Sequence, residues 1–300
     1  MRDEIAALRR FNRAWSQRLG VLDDSFLGSG RPLGPSRVLF EIGPGGVGVR
    51  ELRERLGLDA GYLSRLLRGL EREGLVATVS DATDARRRLA TLTAEGLAAW
   101  RELEERSDEI AERIVAPLSP ARRTQLADAL CLADGLVRSA TAELVEVDPA
   151  SERARAALAA YFAELDARFP GGFEPGIQDP DDYRPPRGRF VLALSDGEVV
   201  ACGALQRLAG QETADPTGDT ATAEVKRMWV HPAWRGWGLA GRMLRHLEGL
   251  AAADGFRAVR LDTNPTLVEA IAMYRGSGYR EIERYNDNPY AGHWFEKALG

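Results

Sequence analysis

The sequence predicts two domains, a mainly helical one followed by an α/β one, and three observations carry the prediction. Three hundred residues at 44% hydrophobic composition are too many for one average domain and suit two. Up to about Arg138 apolar residues recur at three and four positions, as in Leu63, Leu66, Leu67 and Leu70. Beyond that point short strand-like runs alternate with helical ones, the mark of an α/β sheet. The pattern changes over 137–149, where Leu144, Val145 and Val147 read as a strand that Pro149 closes. The boundary is therefore expected near Thr141, with domains at 1–140 and 143–300.

In the first half, residues 4–22 and 97–138 read as long helices. Between them, 49–58 and 59–73 read as two short helices joined at Gly57-Leu58-Asp59, with Asp59 capping the second. Residues 76–79 and 89–92 alternate on either side of a polar stretch, as in a hairpin with a long tip. In the second half a helix opens at Ser151 and carries Ala157, Leu158, Tyr161, Phe162 and Leu165 on one face, ending near Phe169 and Pro170. The Gly/Pro/Asp-rich stretch 171–188 is long enough to be functional or poorly ordered. Strands follow at 190–194, 199–206 and 224–230, with a turn at Asp196 and Gly197 and a polar loop reaching Thr222. Helix 239–253, strand 258–262, helix 267–275 and strands 279–284 and 293–297 complete the chain.

A formal net charge of -5 argues against coating nucleic acid or membrane by charge alone, while leaving room for a local basic patch. Lys226 and Lys297 are the two lysines among 40 basic residues, a bias that fits a GC-rich coding sequence. Cys131 and Cys202 cannot build a disulfide framework, and with three histidines they offer no metal-ligand spacing, so no metal is expected. No apolar signal core follows Met1 and no apolar run is long enough to span a bilayer. A soluble cytoplasmic protein with no membrane partner is expected.

The most informative run extends from Val225 to Ala240. A strand feeds a loop in which Gly236 and Gly238 permit a tight turn, and the loop opens directly into a helix. Backbone N–H groups at such a helix start face one concavity and bind a pyrophosphate without many cationic side chains. An ordinary strand-to-helix connection would share the glycines. The flanking context distinguishes the two, because it resembles the GNAT superfamily of N-acetyltransferases. Arg235, Gly238 and Ala240 match its Arg/Gln-x-x-Gly-x-Gly/Ala loop, residues 257–262 its next strand, Thr263 and Asn264 the loop after it, and 270–279 the following helix and turn. The resemblance covers about 143–299 and implies a central mixed sheet with acetyl-CoA as cofactor.

It further implies that Met228, Trp229 and Val230 line the cofactor, with backbone groups of Met228 and Val230 holding the pantetheine and carbonyl. Arg235, Gly236, Trp237, Gly238, Leu239, Ala240 and Gly241 would hold the pyrophosphate. Tyr274 aligns with a tyrosine beside the cofactor sulfur, and a phenol suits protonation of a thiolate. Asn264 would bind the pantetheine or serve as a turn former before Pro265. Glu224 ranks first as general base and His231 second; Cys202 as a nucleophile is disfavoured, lying mid-strand with no histidine nearby in sequence. For the acceptor, the acidic stretch with Tyr183 and the tip carrying Asn286, Asn288 and Tyr290 suit a cationic amine, and equally any solvated loop.

Helix, short turn, helix and hairpin is the order of a winged helix-turn-helix. The second helix offers Tyr62, Ser64, Arg65 and Arg68 to base edges and phosphates, and the tip adds Asp84, Arg86, Arg87 and Arg88. These features resemble the MarR family of transcriptional regulators, over about 2–138. The resemblance implies that Asp84 orients Arg86 into the minor groove and that the long flanking helices dimerise. Ala85 departs from the arginine many members carry there, so one phosphate contact is lacking. Together the two resemblances imply a homodimeric regulator on inverted-repeat double-stranded DNA, fused to an enzyme acetylating a small-molecule amine by direct attack. Two alternatives stay open: an acetyl-CoA or metabolite sensor without turnover, and a protein-lysine acetyltransferase.

Overall fold

The computed structural model describes residues 1–21, 23–80, 88–176, 179–208 and 222–300. They fall into two compact units, Met1–Ala129 and Leu130–Gly300. The division lies inside a helix.

The first unit runs α1 (Arg2–Arg18), α2 (Leu33–Ile42), β1 (Val47–Gly48), α3 (Val49–Leu56), α4 (Ala60–Arg72), β2 (Val76–Ser80), β3 (Arg88–Leu92), α5 (Ala94–Val115) and the start of α6 (Pro120–Thr141). The strands form a small antiparallel sheet in the order β1-β3-β2. Gly57, at a left-handed φ of 61°, ends α3, and the Asp59 carboxylate accepts the Tyr62 N–H at 2.9 Å to start α4. Leu63, Leu67 and Leu70 then bury one face of α4 against Val38, Leu39, Leu52 and Leu103.

The hairpin is locked to α5 by Thr93, whose hydroxyl donates to the Gly74 carbonyl at 2.6 Å and accepts the Gly96 N–H at 3.0 Å. A Cβ on Gly96 would lie 1.8 Å from the Leu75 carbonyl oxygen. Gly96→Val is therefore expected to destabilise this unit by about 3 kcal/mol, read as a lower urea midpoint.

The expected helix at 97–138 is two helices, because Val115 ends one and Pro120 opens the next. Pro117 has no N–H to continue the ladder, while Pro120 sits at a first helical position where none is needed. The two-residue strand β1 has too few residues to leave a sequence pattern.

The second unit contains the end of α6, then β4 (Glu143–Glu146), α7 (Glu152–Arg168), β5 (Gly188–Ser195), β6 (Glu198–Arg207), β7 (Thr222–Val230), α8 (Leu239–Ala253), β8 (Ala258–Thr263), α9 (Val268–Gly276), β9 (Arg280–Ile282) and β10 (His293–Ala298). Its sheet has the order β4-β5-β6-β7-β8-β10-β9, antiparallel except for the β7–β8 pair. Asp196 and Gly197, both at positive φ, make the tight β5–β6 turn.

Alternation along β5 sends Val191 and Ala193 into one core, with Leu239, Met243, Leu244 and Leu247 of α8. Phe190 and Leu192 enter the other, with Ala154 and Ala157 of α7. β9 is shorter than the expected 279–284, and Tyr285 beyond it donates its hydroxyl to Glu224 at 2.8 Å. Among the described residues no helix is long and apolar enough to cross a membrane.

Candidate functional site

β7 and β8 pair only through Thr222↔Ala258, Ala223↔Val259 and Glu224↔Arg260. Past Glu224 the ladder stops, and β7 carries a bulge just beyond. Cys202 pairs with Trp229 and Ala204 with Lys226, which leaves Arg227 and Met228 facing Gly203 alone. Arg227 adopts a left-handed φ of 58°. A Cβ on Gly203 would come within 2.9 Å of the Leu247 side-chain tip and 3.0 Å of the Met228 sulfur, so a larger residue would have to displace these side chains.

A cavity of about 420 Å³ occupies this region. Its lining includes Val225, Lys226, Arg227 and Met228 of β7, Asp262 and Thr263 of β8, Asn264, and Tyr274 of α9. Tyr161, Leu165, Phe169 and Phe173 supply apolar wall, and Asn288 and Tyr290 close it from the tip between β9 and β10.

The polar floor is one connected network. The Lys226 ammonium lies 3.0 Å from Glu224 and 2.9 Å from Asp262, whose side chains are 5% and 6% exposed. Glu224 also accepts from Gln206 at 2.7 Å, from Tyr285 and from Asn286 at 3.1 Å. Asp262 accepts from Asn286 at 2.8 Å and Asn288 at 2.5 Å, and Trp294 orients Asn286 by donating to its side-chain oxygen at 2.9 Å. Burial pushes the Asp262 pKa up, but Lys226 and the two amides outweigh it and leave the carboxyl below its ordinary value. Burial likewise pulls Lys226 down, and the two carboxylates reverse this to a raised pKa. Both groups stay charged.

The expected catalytic residues fall in different places. Tyr274 lines the cavity, and burial, followed by the nearby Asp262 charge, raises its pKa, so the phenol keeps its proton. Glu224 is buried behind Lys226 and does not line the cavity. His231 accepts the Ala233 N–H at 3.3 Å and caps a short turn. Cys202 is buried in the core, and burial pushes its thiol up to about 12.

The glycine loop sits at the C-terminal end of β7. Gly236 and Gly238 have φ of 82° and 86°, and α8 starts from Gly238 without a side-chain cap. A Cβ at either glycine would meet nothing within 4 Å, so the loop faces open space. The first N–H groups of α8 and this open approach fit a pyrophosphate. The Arg235 side chain is engaged elsewhere. Its Nε donates to the Val230 carbonyl at 2.9 Å and its other end to Glu164 of α7, which the Trp229 indole also meets at 2.9 Å. The Trp237 ring packs on the end of α6, where a Cβ on Gly135 would lie 2.3 Å from it. Arg138 stacks 4.2 Å over Trp234, and Arg242 donates to the Ser139 carbonyl at 3.0 Å and to that of Ala142.

Of the expected acceptor residues, Asn288 and Tyr290 line the cavity while Tyr183 and Asn286 do not. Tyr183 is buried, and its hydroxyl accepts from Arg227 at 3.2 Å. Asn264 joins the wall through a 2.7 Å hydrogen bond from its side-chain nitrogen to the Tyr290 carbonyl, and its oxygen accepts the Thr266 N–H at 2.9 Å. Sequence reasoning missed Lys226, Asp262, Phe169 and Phe173 as site residues. Lys226 carried a usable signal, being one of two lysines in an arginine-dominated chain.

In the first unit Tyr62, Ser64, Arg65 and Arg68 are all exposed on α4, opposite its buried leucines. Arg65 stacks 5.6 Å from the Tyr62 ring. Arg88 is exposed at the start of β3; Asp84, Arg86 and Arg87 lie outside the described residues.

Comparison with known proteins matches residues 158–279 to the acetyltransferase (GNAT) family and residues 29–87 to the MarR family. The "IAA acetyltransferase" of Azospirillum brasilense is 34% identical over 122 residues, 39% of this chain and 73% of that one. Three further curated N-acetyltransferases are spanned over 61%, 56% and 43% of their own length. Among solved structures, an acetyltransferase from Streptococcus agalactiae 2603 matches at 23% identity and a TM-score of 0.41, over 52% of this chain and 98% of that one. A MarR-family transcriptional regulator from Rhodococcus sp. RHA1 matches at 25% identity and a TM-score of 0.35, over 43% and 93%. The chain belongs to the GNAT acetyltransferase family and joins that domain to an N-terminal MarR-family region.

Proposed function

We propose that the chain is a DNA-binding regulator whose C-terminal domain transfers acetyl from acetyl-CoA to the amine of a small molecule. It would act as a cytoplasmic homodimer on an inverted repeat, with the DNA-reading part in 1–140 and the transferase in 143–300. One observation carries the enzyme reading: β7 and β8 stop pairing beside a cavity, at the strand ends from which the uncapped start of α8 follows.

The bound thioester supplies an activated acyl group: a C–N bond forms to the amine, the C–S bond breaks, nitrogen loses one proton and sulfur gains one. Backbone N–H groups from Gly236 to Gly241 hold the pyrophosphate. Met228 and Val230 hold the pantetheine and polarise the carbonyl through their backbone, Met228 being one of the two residues at the bulge. Tyr274 gives its proton on the sulfur side. The amine's proton leaves, through water, toward the acidic pair Glu224 and Asp262, of which Asp262 lines the cavity. Arg235 positions the loop by tying it to α7. Free-thiol release from acetyl-CoA across an amine panel, with mass detection of the product, tests the reading; thiol release independent of every amine would remove it.

For the DNA-binding half, Tyr62, Ser64, Arg65 and Arg68 face the major groove, and Arg88 with Asp84, Arg86 and Arg87 meets the backbone and minor groove. Arg68→Ala is expected to weaken binding to any DNA and to flatten the salt slope by about 1 per protomer. An unchanged slope in a fluorescence titration would take Arg68 off the phosphates.

A second reading, acyl-CoA sensing without turnover, is favoured by one contact. Trp237 of the cofactor loop seats on Gly135 of α6, the helix in which the two units divide. An effect of acetyl-CoA on operator affinity in a chain that releases no thiol would select it.

A further inference from the structure

We infer that the acceptor is a small primary amine carrying an aromatic ring, the ring received by Phe169, Phe173 and Tyr290 and the ammonium drawn to Asp262. This inference rests on the transferase reading above and narrows it.

The three rings form a contiguous wall of the cavity. Phe173 and Tyr290 have centroids 4.8 Å apart, Phe169 stands edge-on to Phe173 at 5.8 Å, and Phe169 and Tyr290 are also 5.8 Å apart. Two rings come from the end of α7 and the segment after it, and the third comes from the tip between β9 and β10. Backbone hydrogen bonds hold them in place. The Tyr290 hydroxyl accepts the Glu174 N–H at 3.0 Å, the Asp166 carboxylate accepts the Phe173 N–H at 2.9 Å, and Asn264 holds the Tyr290 carbonyl. A preset aromatic wall of this kind favours a ring over an aliphatic group of the same bulk through edge and face contacts.

The polar floor selects charge. Two buried carboxylates, Glu224 and Asp262, share the single Lys226 ammonium. Arg227 also lines the cavity, but its guanidinium lies over the Phe162 ring at 5.1 Å and donates to the Tyr183 hydroxyl. Its charge is thus directed toward α7 and Tyr183. Asp262 and Glu174 are the carboxylates on the cavity lining, and Asp262 is the buried one that stays ionised. An ammonium docked there faces an opposite charge. A carboxylate on the acceptor would instead meet like charge. The volume of about 420 Å³, shared with the acyl end of the cofactor, suits one ring on a short arm.

The test measures kcat/KM for the full chain with acetyl-CoA and three probes: 2-phenylethylamine, 2-cyclohexylethylamine and phenylalanine. Phenylethylamine is expected to exceed its saturated counterpart by about tenfold and to exceed phenylalanine by more. Phe173→Leu is expected to bring the first ratio to within about twofold of one, while acetyl-CoA still quenches tryptophan emission with the wild-type midpoint. A wild-type ratio near one, or a preference for phenylalanine, overturns the inference whether or not the variant folds. Thiol release with phenylethylamine and cyclohexylethylamine at equal rates leaves the transferase reading standing and removes only the aromatic preference. A chain that binds acetyl-CoA yet acetylates no amine removes both.

Discussion

Tyr274→Phe is expected to lower kcat about 100-fold while leaving acetyl-CoA affinity within about twofold, because the change deletes a proton donor and keeps the ring. Tyr274 is 5% exposed and packs against Tyr279 and Phe295, with ring centroids 6.0 Å away in both cases, contacts that phenylalanine preserves. Other groups on the cavity wall are less suited. Lys226 is held between two carboxylates and Asp262 is ionised. Tyr161 is the rival, also on the wall and also raised in pKa by burial. Single-turnover rates of Tyr274→Phe and Tyr161→Phe separate the two. A loss confined to Tyr161→Phe would move the acid role there.

Lys226→Met is expected to cost about 3 kcal/mol, seen as a Tm lower by about 6–12 °C. Removing the ammonium leaves Glu224 and Asp262 buried with only neutral donors, and uncompensated buried charge is the expensive case. The pH dependence should change sign. In the wild type the depressed Asp262 pKa stabilises the fold above the ordinary aspartate value of 3.8, and this is lost as pH falls through the lower folded value. Lys226, raised above 10.5, contributes below that value and loses its contribution only as pH rises through its folded pKa. In the variant the burial of Asp262 is no longer offset by an ammonium and favours its protonated form, so stability should increase on going from pH 8 to pH 5. A variant that melts at the wild-type temperature at pH 8 would show that the network is solvent-screened and of little energetic weight.

Much of the fold was legible because its signals are local. Asp59 and Ser151 announce helix starts through side chains that reach backbone N–H groups within three residues. Gly238 and the apolar spacing after it set α8 at Leu239–Ala253, as expected. The glycine loop could be read for the same reason: donors, turn and helix start follow one another in sequence. The interruption between α5 and α6 was missed although Pro117 and Pro120 signalled it, since the apolar periodicity resumes beyond them.

The rest of the site depends on contacts that sequence spacing does not encode. Glu224 and Asp262 are 38 residues apart in sequence, yet share Lys226 and Asn286. Nothing about an arginine announces the left-handed backbone of Arg227, which favours glycine or asparagine. Arg235 matches a cofactor-loop motif, but its partner Glu164 lies on a helix 71 residues earlier. Phe169 and Phe173 read as the end of a helix and an irregular loop. They meet Tyr290 only because the tip folds back over the parted strands.

The seat of Trp237 on Gly135 bears on where the molecule can be cut. Excision at Glu143, where the sheet begins, would keep every strand and every cavity residue. It would also strip away the surface beneath Trp237, the Arg138 guanidinium over Trp234 and the carbonyls that Arg242 reaches. Two indoles of the cofactor loop would then face water. A minimal soluble catalyst therefore needs the last turns of α6, beginning near Leu130, and the shorter fragment should be prone to self-association through the bared tryptophans.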